Sequence, residues 1–88
     1  MDNLMEVKNI TFVITTYKSE NTIYNCLNSL PKEVNKIIVE NSKNIKLKHD
    51  LEKKYDNLQC YLMSENIGYG KANNFGINKS ETDYVFIL

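Results

Sequence analysis

The sequence predicts an α/β protein built as a three-layer α/β/α sandwich, in which helices cover both faces of a parallel sheet of four strands. Two observations predict this class: short apolar runs, and intervening stretches whose apolar residues recur every three to four positions. Apolar runs of this kind are typical of strands buried on both faces, as parallel strands are. Because strands and helices alternate along the chain, right-handed crossovers are expected between strands. A single domain over residues 1–88 follows.

The first strand and the first helix are predicted on either side of a short polar loop. Residues 10–17 (ITFVITTY) form an uncharged, β-branched and aromatic run, which indicates a buried strand. Residues 19–30 carry one apolar stripe at helical spacing, formed by Ile23, Cys26, Leu27 and Leu30. Pro31 cannot continue a helix, so the helix is predicted to end before it.

The remaining elements alternate in the same way. Strands are predicted at residues 36–40 (KIIVE), 58–63 (LQCYLM) and 84–88 (YVFIL). A helix is predicted at residues 45–55, where the shared apolar face consists of Leu47, Leu51 and Tyr55. Another is predicted at residues 69–79, where the residues at helical spacing are Ala72, Phe75, Gly76 and Lys79.

Charge and cysteine usage exclude several classes of partner. Eleven acidic residues balance eleven basic ones, all of them Lys, so nucleic acid is not an expected partner. Cys26 and Cys60 lack CxxC spacing and His49 is the single histidine, so no zinc site is expected and both thiols are interpreted as buried, apolar and reduced.

No apolar run approaches the ~20 residues of a membrane-spanning helix. The chain is therefore expected to be cytoplasmic.

The glycine-rich and catalytic motifs of several common α/β proteins do not occur. A dinucleotide-binding domain needs GxGxxG directly after the first strand, where this chain has no glycine. Gly68 and Gly70 form a GxG only after the third strand, and Asn73 stands where a third glycine would be. The sequence contains no P-loop, no Ser-His-Asp set and no response-regulator pattern of acidic residues.

Open parallel sheets bind ligands beyond the carboxyl ends of their strands, so the loops at those ends form the candidate site. Glu40 can accept a hydrogen bond from a base or a ribose, and Thr15 and Tyr17 can bond to either group. The backbone N–H groups of residues 68–71, which include Lys71, begin a helix and suit an anion. These groups fit a nucleotide. Structural interpretations stay open: a turn-capping carboxylate for Glu40, strand packing for Thr15 and a solvated charge for Lys71.

Three segments in register resemble family 2 glycosyltransferases: ITFVITTYKSENTIYNCLNSL, KIIVENSK and ENIGYGKANNFGIN. Residues 66–68 (NIG) and 73–77 (NNFGI) are similar to the pattern of rhamnosyltransferase-like members, and residues 83–88 look like the strand that leads into a metal-binding Asp-rich motif. The resemblance covers nearly the whole chain from Ile10. It implies a GT-A fold, which is Rossmann-like, with strand order 3-2-1-4 and truncated at its C-terminal end.

The resemblance also implies which residues border the donor nucleotide. With Lys71 from the candidate loop included, they are Thr15, Thr16, Tyr17, Glu40, Asn66, Gly68, Lys71, Asn73 and Asn74. The family more often has Asp where this chain has Glu40, which moves the carboxylate outward by one methylene. Gly76 is expected to let the third helix approach the sheet closely.

The activity implied by the resemblance is sugar transfer from a nucleotide-diphosphate sugar, UDP- or dTDP-linked, to an acceptor hydroxyl, with inversion, in polysaccharide biosynthesis. Such transfer needs a divalent cation, Mg²⁺ or Mn²⁺, and a carboxylate base. Both are expected beyond Leu88 in a longer parent, so no metal ligand and no catalytic residue is predicted in residues 1–88. The chain is then an inactive donor-binding fragment of an enzyme that is cytoplasmic or peripheral at the inner face of the membrane.

Two other functions share this fold: a nucleotide-binding module without chemistry, and a self-associating scaffold. Nucleotide titration separates the scaffold from the other two, because only the scaffold binds no nucleotide. In the implied strand order, residues 84–88 form an apolar strand at an edge of the sheet. Self-association through that strand, from Tyr84 to Leu88, is therefore predicted, by pairing of two sheets or by swapping.

Overall fold

The computed structural model describes residues 6–88. The strands are β1 (Ile10–Thr16), β2 (Asn35–Glu40), β3 (Leu58–Leu62) and β4 (Tyr84–Ile87), and the helices are α1 (Ile23–Asn28), α2 (Ile45–Lys54) and α3 (Tyr69–Lys79). A short 3-10 turn at Val7–Asn9 precedes β1. The first five residues of the domain predicted over residues 1–88 lie outside the described part.

The four strands are all parallel and lie in the order β3-β2-β1-β4. Helices α1 and α2 pack on one face of the sheet and α3 packs on the other, which makes three layers. The predicted α/β class, the three-layer sandwich and the strand order are confirmed. Within residues 6–88, no helix has the length and apolar character that crossing a membrane requires.

Helix α1 is shorter than the predicted residues 19–30, whereas every other element begins and ends within one residue of its prediction. Before α1, the Thr22 hydroxyl donates to the Ser19 carbonyl at 3.3 Å. After it, the Ser29 hydroxyl donates to the Cys26 carbonyl at 2.7 Å. Polar side chains that bond the backbone in this way compete with helical hydrogen bonds. The predicted bounds were wrong because they followed the apolar stripe and Pro31 and did not include these side-chain bonds.

Apolar side chains pack on both faces of the sheet. The cluster on the α1–α2 face consists of Ile14, Ile23, Leu27, Ile38, Leu47, Leu51, Leu58 and Cys60. The cluster on the α3 face consists of Val13, Ile37, Val39 and Ala72. Cys60 is buried, and burial raises the pKa of its thiol to about 12. Cys26, also predicted to be buried, is only half-buried, because it lies at the border of the first cluster.

Helix α3 approaches the sheet closely at Gly76. A β-carbon placed on Gly76 would lie 2.5 Å from Cγ1 of Val13 and 3.3 Å from Cγ2 of Val39. Both valines are fully buried, so neither side chain has free space to move into. The close approach predicted for Gly76 is confirmed.

Gly76→Ala should lower the free energy of unfolding by about 2 kcal/mol, because overpacking against Val13 outweighs the gain in helix propensity. Gly70→Ala is the matched control, since a β-carbon at Gly70 meets no atom within 4 Å. The control should leave stability unchanged or raise it by up to about 1 kcal/mol. Denaturant unfolding followed by circular dichroism measures both variants. Equal stabilities would contradict the close packing of α3.

Candidate functional site

The carboxyl ends of β1, β2 and β3 meet at one edge of the sheet, which we call the carboxyl edge. Thr16 is level with Glu40 in the β1–β2 pair, and Glu40 is level with Leu62 in the β2–β3 pair. Asn66 follows in the loop that leaves β3 at the same edge. The structure therefore brings Thr15, Glu40 and Asn66 to the same side of the molecule.

Glu40 is the last residue of β2, and its side chain is fully buried. One carboxylate oxygen, Oε1, accepts a hydrogen bond from the Thr16 hydroxyl at 2.7 Å. The other oxygen, Oε2, accepts from the Ser42 N–H at 2.8 Å, from the Ser42 hydroxyl at 2.6 Å and from the Asn44 N–H at 3.0 Å. The carboxylate thus joins the end of β1 to the turn that leads into α2.

The carboxylate of Glu40 is held in its charged form. Burial opposes the charge, but the hydrogen bonds from Ser42, Asn44 and Thr16 outweigh burial and keep the pKa of Glu40 below its ordinary value. Because both carboxylate oxygens already accept hydrogen bonds within the protein, a ligand would have to compete with these bonds for direct contact. Of the two interpretations left open by the sequence, the turn-capping carboxylate describes the contacts that Glu40 makes.

Thr15 and Asn73 connect β1 to α3. The Thr15 hydroxyl donates to Oδ1 of Asn73 at 2.9 Å, and Asn73 is 8% exposed. The two residues therefore contact each other directly, while the Thr15 oxygen keeps acceptor capacity. Asn74 is exposed on α3 and has a different environment from its buried neighbour.

Asn41 was not among the residues predicted from the sequence. Its N–H donates to the Thr16 carbonyl at 2.8 Å, which extends the pairing of β1 and β2 by one residue. If the alternation of β2 is continued by this one paired residue, we infer that the side chain lies on the face of Ile37 and Val39, which α3 covers. The side chain is 3% exposed, and its buried Oδ1 has no hydrogen-bond partner among the described residues. An unpaired buried acceptor costs roughly 1–3 kcal/mol, so this oxygen would be stabilised by a donor.

The loop from β3 to α3 presents backbone N–H groups at the carboxyl edge. Gly68 has a φ of +85°, a left-handed value that favours glycine, and its N–H donates to Oδ1 of Asn66 at 2.9 Å. As the N-cap of α3, Gly68 has no side chain that could bond the N–H groups of the first helical turn. These N–H groups, with the exposed ammonium of Lys71 nearby, suit an anion.

Tyr17 directly follows β1, and its side chain is 49% exposed. The next residue, Lys18, donates its N–H to the Ser42 hydroxyl at 3.0 Å, so the loop after β1 is bonded to the loop after β2. The Lys18 ammonium lies 5.3 Å from the centroid of the Tyr17 ring. The exposed ring offers a flat apolar surface next to the position of Asn41.

An open cleft of about 650 Å³ lies at the opposite, amino edge of the sheet. The cleft is lined by residues at the amino ends of the strands and at the C-terminal end of α3, including Thr11, Asn57, Asn78 and Glu81. The buried Thr11 hydroxyl in this cleft is hydrogen-bonded to the Thr82 hydroxyl at 2.6 Å. None of the residues predicted to bind a nucleotide lines the cleft.

Glu40→Gln should lower the free energy of unfolding by about 2 kcal/mol at neutral pH, because bonds to a charged acceptor become bonds to a neutral one. The pKa of Glu40 is lower in the folded chain than its ordinary value of about 4.5. The charge therefore stabilises the fold above about pH 4.5, and this stabilisation is lost as the pH falls through the lower pKa of the folded chain. The stability difference between wild type and variant should therefore shrink in acid. Urea unfolding at a series of pH values measures it, and a constant difference would contradict the buried charge.

Comparison with known families agrees with this arrangement of strands and loops. A family model described as glycosyl transferase family 2 matches residues 11–88, which include nearly all of β1 and every later element. No curated protein and no solved structure is significantly similar to the chain. Because the family model matches far more than half of the sequence, the chain belongs to glycosyl transferase family 2.

Proposed function

We propose that the carboxyl edge binds the nucleoside diphosphate of a sugar donor, UDP- or dTDP-linked, for transfer to an acceptor hydroxyl. Membership of glycosyl transferase family 2 supports the transferase class. The observation that carries the donor site is the unpaired Oδ1 of Asn41, which is buried where the loops after β1, β2 and β3 converge. A buried acceptor without a partner at a strand end is a place where a ligand donor replaces a missing hydrogen bond.

The chemistry of this edge assigns a role to each part of the nucleotide. Uracil and thymine both carry a ring N–H, which is the donor that Oδ1 of Asn41 lacks. The exposed ring of Tyr17 offers a stacking surface for the base, and the Thr15 oxygen is an acceptor for a ribose hydroxyl. The first turn of α3 and Lys71 suit the diphosphate. In this scheme Glu40 positions the loops instead of contacting the base.

The proposal assigns donor binding, and no catalytic step, to this chain. Glu40 is the carboxylate at the end of β2, and its two oxygens are committed to Thr16, Ser42 and Asn44, so it is not free to deprotonate an acceptor. Among residues 6–88, no group of three or more His, Cys, Asp and Glu side chains could hold a metal ion, so these residues do not fit a divalent cation.

We also propose that the base and the cation are supplied by residues beyond Leu88 in a longer inverting enzyme. The 88-residue chain would then be inactive alone. A rhamnosyltransferase-like donor preference and a cytoplasmic location, peripheral to the inner face of the membrane, are parts of the same proposal. Turnover of a nucleotide sugar by the purified chain would contradict the assignment of the catalytic groups.

Asn41→Ala should weaken binding of UDP about fivefold to tenfold, because one hydrogen bond to the base is lost. The same change should alter the free energy of unfolding by less than about 1 kcal/mol, because removing a buried oxygen that has no partner offsets the packing lost with the rest of the side chain. Isothermal titration calorimetry with UDP and dTDP measures the affinity, and urea unfolding measures the stability.

The matched control is Asn78→Ala, at an exposed asparagine that lines the cleft at the amino edge. It should bind UDP as wild type does. Absence of saturable heat with either nucleotide for the wild-type chain would contradict the proposed function. Equal loss of affinity in both variants would contradict the assignment of the site to the carboxyl edge.

A further inference from the structure

The cleft at the amino edge is present because one helix covers only part of the sheet on the α3 face. An α-helix with its side chains is about 10 Å wide, which matches about two strands spaced ~4.8 Å apart. Helix α3 packs mainly over β1 and β2, so much of β3, the next strand along, has no helix above it on this face among the described residues. Every residue that lines the cleft precedes β4, so its walls do not depend on the strand that leads to Leu88.

The floor of the cleft is polar, whereas the neighbouring part of the same face is apolar. Three strands each contribute an apolar residue to the packing under α3: Val13, Ile37 and Tyr61. Alternation puts the residue two positions earlier on the same face, and in each strand that residue is polar: Thr11, Asn35 and Gln59. Thr11 is level with Asn35 in the β1–β2 pair. The cleft floor is therefore a row of hydroxyl and amide side chains on neighbouring strands.

Two amide side chains on this floor keep hydrogen-bonding groups of opposite kinds for a ligand. Asn35 donates through Nδ2 to the Lys8 carbonyl at 3.1 Å, which leaves its Oδ1 as an acceptor. Gln59 accepts at Oε1 from the Tyr61 hydroxyl at 3.1 Å, which leaves the N–H groups of its amide as donors. A hydroxyl group both donates and accepts hydrogen bonds, so a ligand with several hydroxyl groups can use both side chains.

The charges around the cleft do not favour an anionic ligand. The Lys36 ammonium donates to two backbone carbonyls, at 3.1 and 3.0 Å, and is committed to them. The Lys79 ammonium lies 5.5 Å from the centroid of the Tyr61 ring. The exposed carboxylate of Glu81 also lines the cleft and would repel a phosphate. The cleft therefore differs from the carboxyl edge, where the N–H groups of a helix suit an anion, and it fits a neutral ligand.

We infer that the cleft at the amino edge binds a neutral saccharide through the amides of Asn35 and Gln59. Its volume of about 650 Å³ lies within the roughly 300–1,000 Å³ that is typical of small-molecule sites. A neutral saccharide is rich in hydroxyl groups and carries no charge, so it matches amide donors and acceptors beside the carboxylate of Glu81. Membership of a glycosyl transferase family supports a sugar as the class of ligand.

The saccharide site is separate from the proposed donor site. Strand β1 has 7 residues, and at ~3.3 Å per residue its two ends lie about 20 Å apart. A saccharide in the cleft therefore does not compete with a nucleotide at the carboxyl edge. In sugar transfer it would be a part of a glycan acceptor or product that lies far from the reacting hydroxyl. That role rests on the proposed function, whereas saccharide binding itself does not.

NMR titration of the isotope-labelled chain with three neutral trisaccharides tests the site. The probes are maltotriose, cellotriose and triacetylchitotriose, and backbone amide shifts are followed residue by residue. At least one probe should cause saturable shifts at Asn35, Gln59 and Glu81, while Asn41 and Gly68 at the carboxyl edge stay unchanged. The absence of saturable shifts with all three probes would overturn the inference. Saturable shifts confined to the carboxyl edge would overturn it as well.

Gln59→Ala should weaken trisaccharide binding about fivefold to tenfold, because it removes the amide donors from an exposed position of β3. Asn25→Ala is the matched control, since it removes an exposed amide from α1 on the other face of the sheet, and it should bind as wild type does. Circular dichroism confirms that both variants are folded. Equal affinities of the two variants would overturn the assignment of the site.

The saccharide and nucleotide titrations give separate answers. A chain that binds a trisaccharide at the amino edge but does not bind UDP supports the saccharide site and contradicts the donor site alone. A chain that binds UDP but no trisaccharide overturns the saccharide site and leaves the donor site in place.

Discussion

The buried carboxylate of Glu40 is the interaction on which the carboxyl edge depends. It is charged and inaccessible to water, and four donors from Thr16, Ser42 and Asn44 replace its hydration. A charge in this environment is stable only while those donors stay in place, so it constrains the turn between β2 and α2. Asn44 in turn accepts from the Leu47 N–H at 2.9 Å as the N-cap of α2. The end of β1, the turn and the start of α2 are thereby fixed relative to one another.

Two adjacent residues at the end of β2 differ in whether their hydrogen-bonding groups are satisfied. Glu40 lies on the face of Ile38, which α1 and α2 cover, and both of its oxygens accept hydrogen bonds, whereas the alternation leads us to infer that Asn41 lies on the α3 side, with an oxygen that has no partner among the described residues. The alternation of a strand therefore assigns two adjacent polar residues to different tasks. Glu40 holds the loops together, and Asn41 is the group with hydrogen-bonding capacity left for the donor nucleotide that we propose.

Much of the fold could be predicted because its strands carry local signals. The run of residues 10–17 is β-branched and apolar, and it became β1 with one residue fewer. The length of α1 could not be predicted from its apolar stripe, because it depends on the backbone carbonyls to which the Thr22 and Ser29 hydroxyls donate. The spacing of apolar residues along the chain carries no information about such side-chain-to-backbone contacts.

The candidate site was less predictable than the fold. The sequence indicated Thr15, Glu40 and Asn66 at the strand ends, and these positions do lie at one edge. It could not decide between a ligand-binding and a turn-capping Glu40, because that choice depends on the N–H groups of Ser42 and Asn44. Asn41 was missed, since only its burial without a partner distinguishes it from the many other asparagines of the chain. Its position directly after the acidic residue of β2 was the one signal available.

The most direct test of this account is an NMR titration of the isotope-labelled chain with UDP, in which backbone amide shifts are followed residue by residue. The account predicts saturable shifts at Tyr17, Asn41 and Gly68 around the carboxyl edge, while Asn57 and Glu81 in the cleft at the amino edge stay unchanged. Shifts concentrated at Asn57 and Glu81, or none at Asn41, would contradict a nucleotide site organised by the buried carboxylate of Glu40.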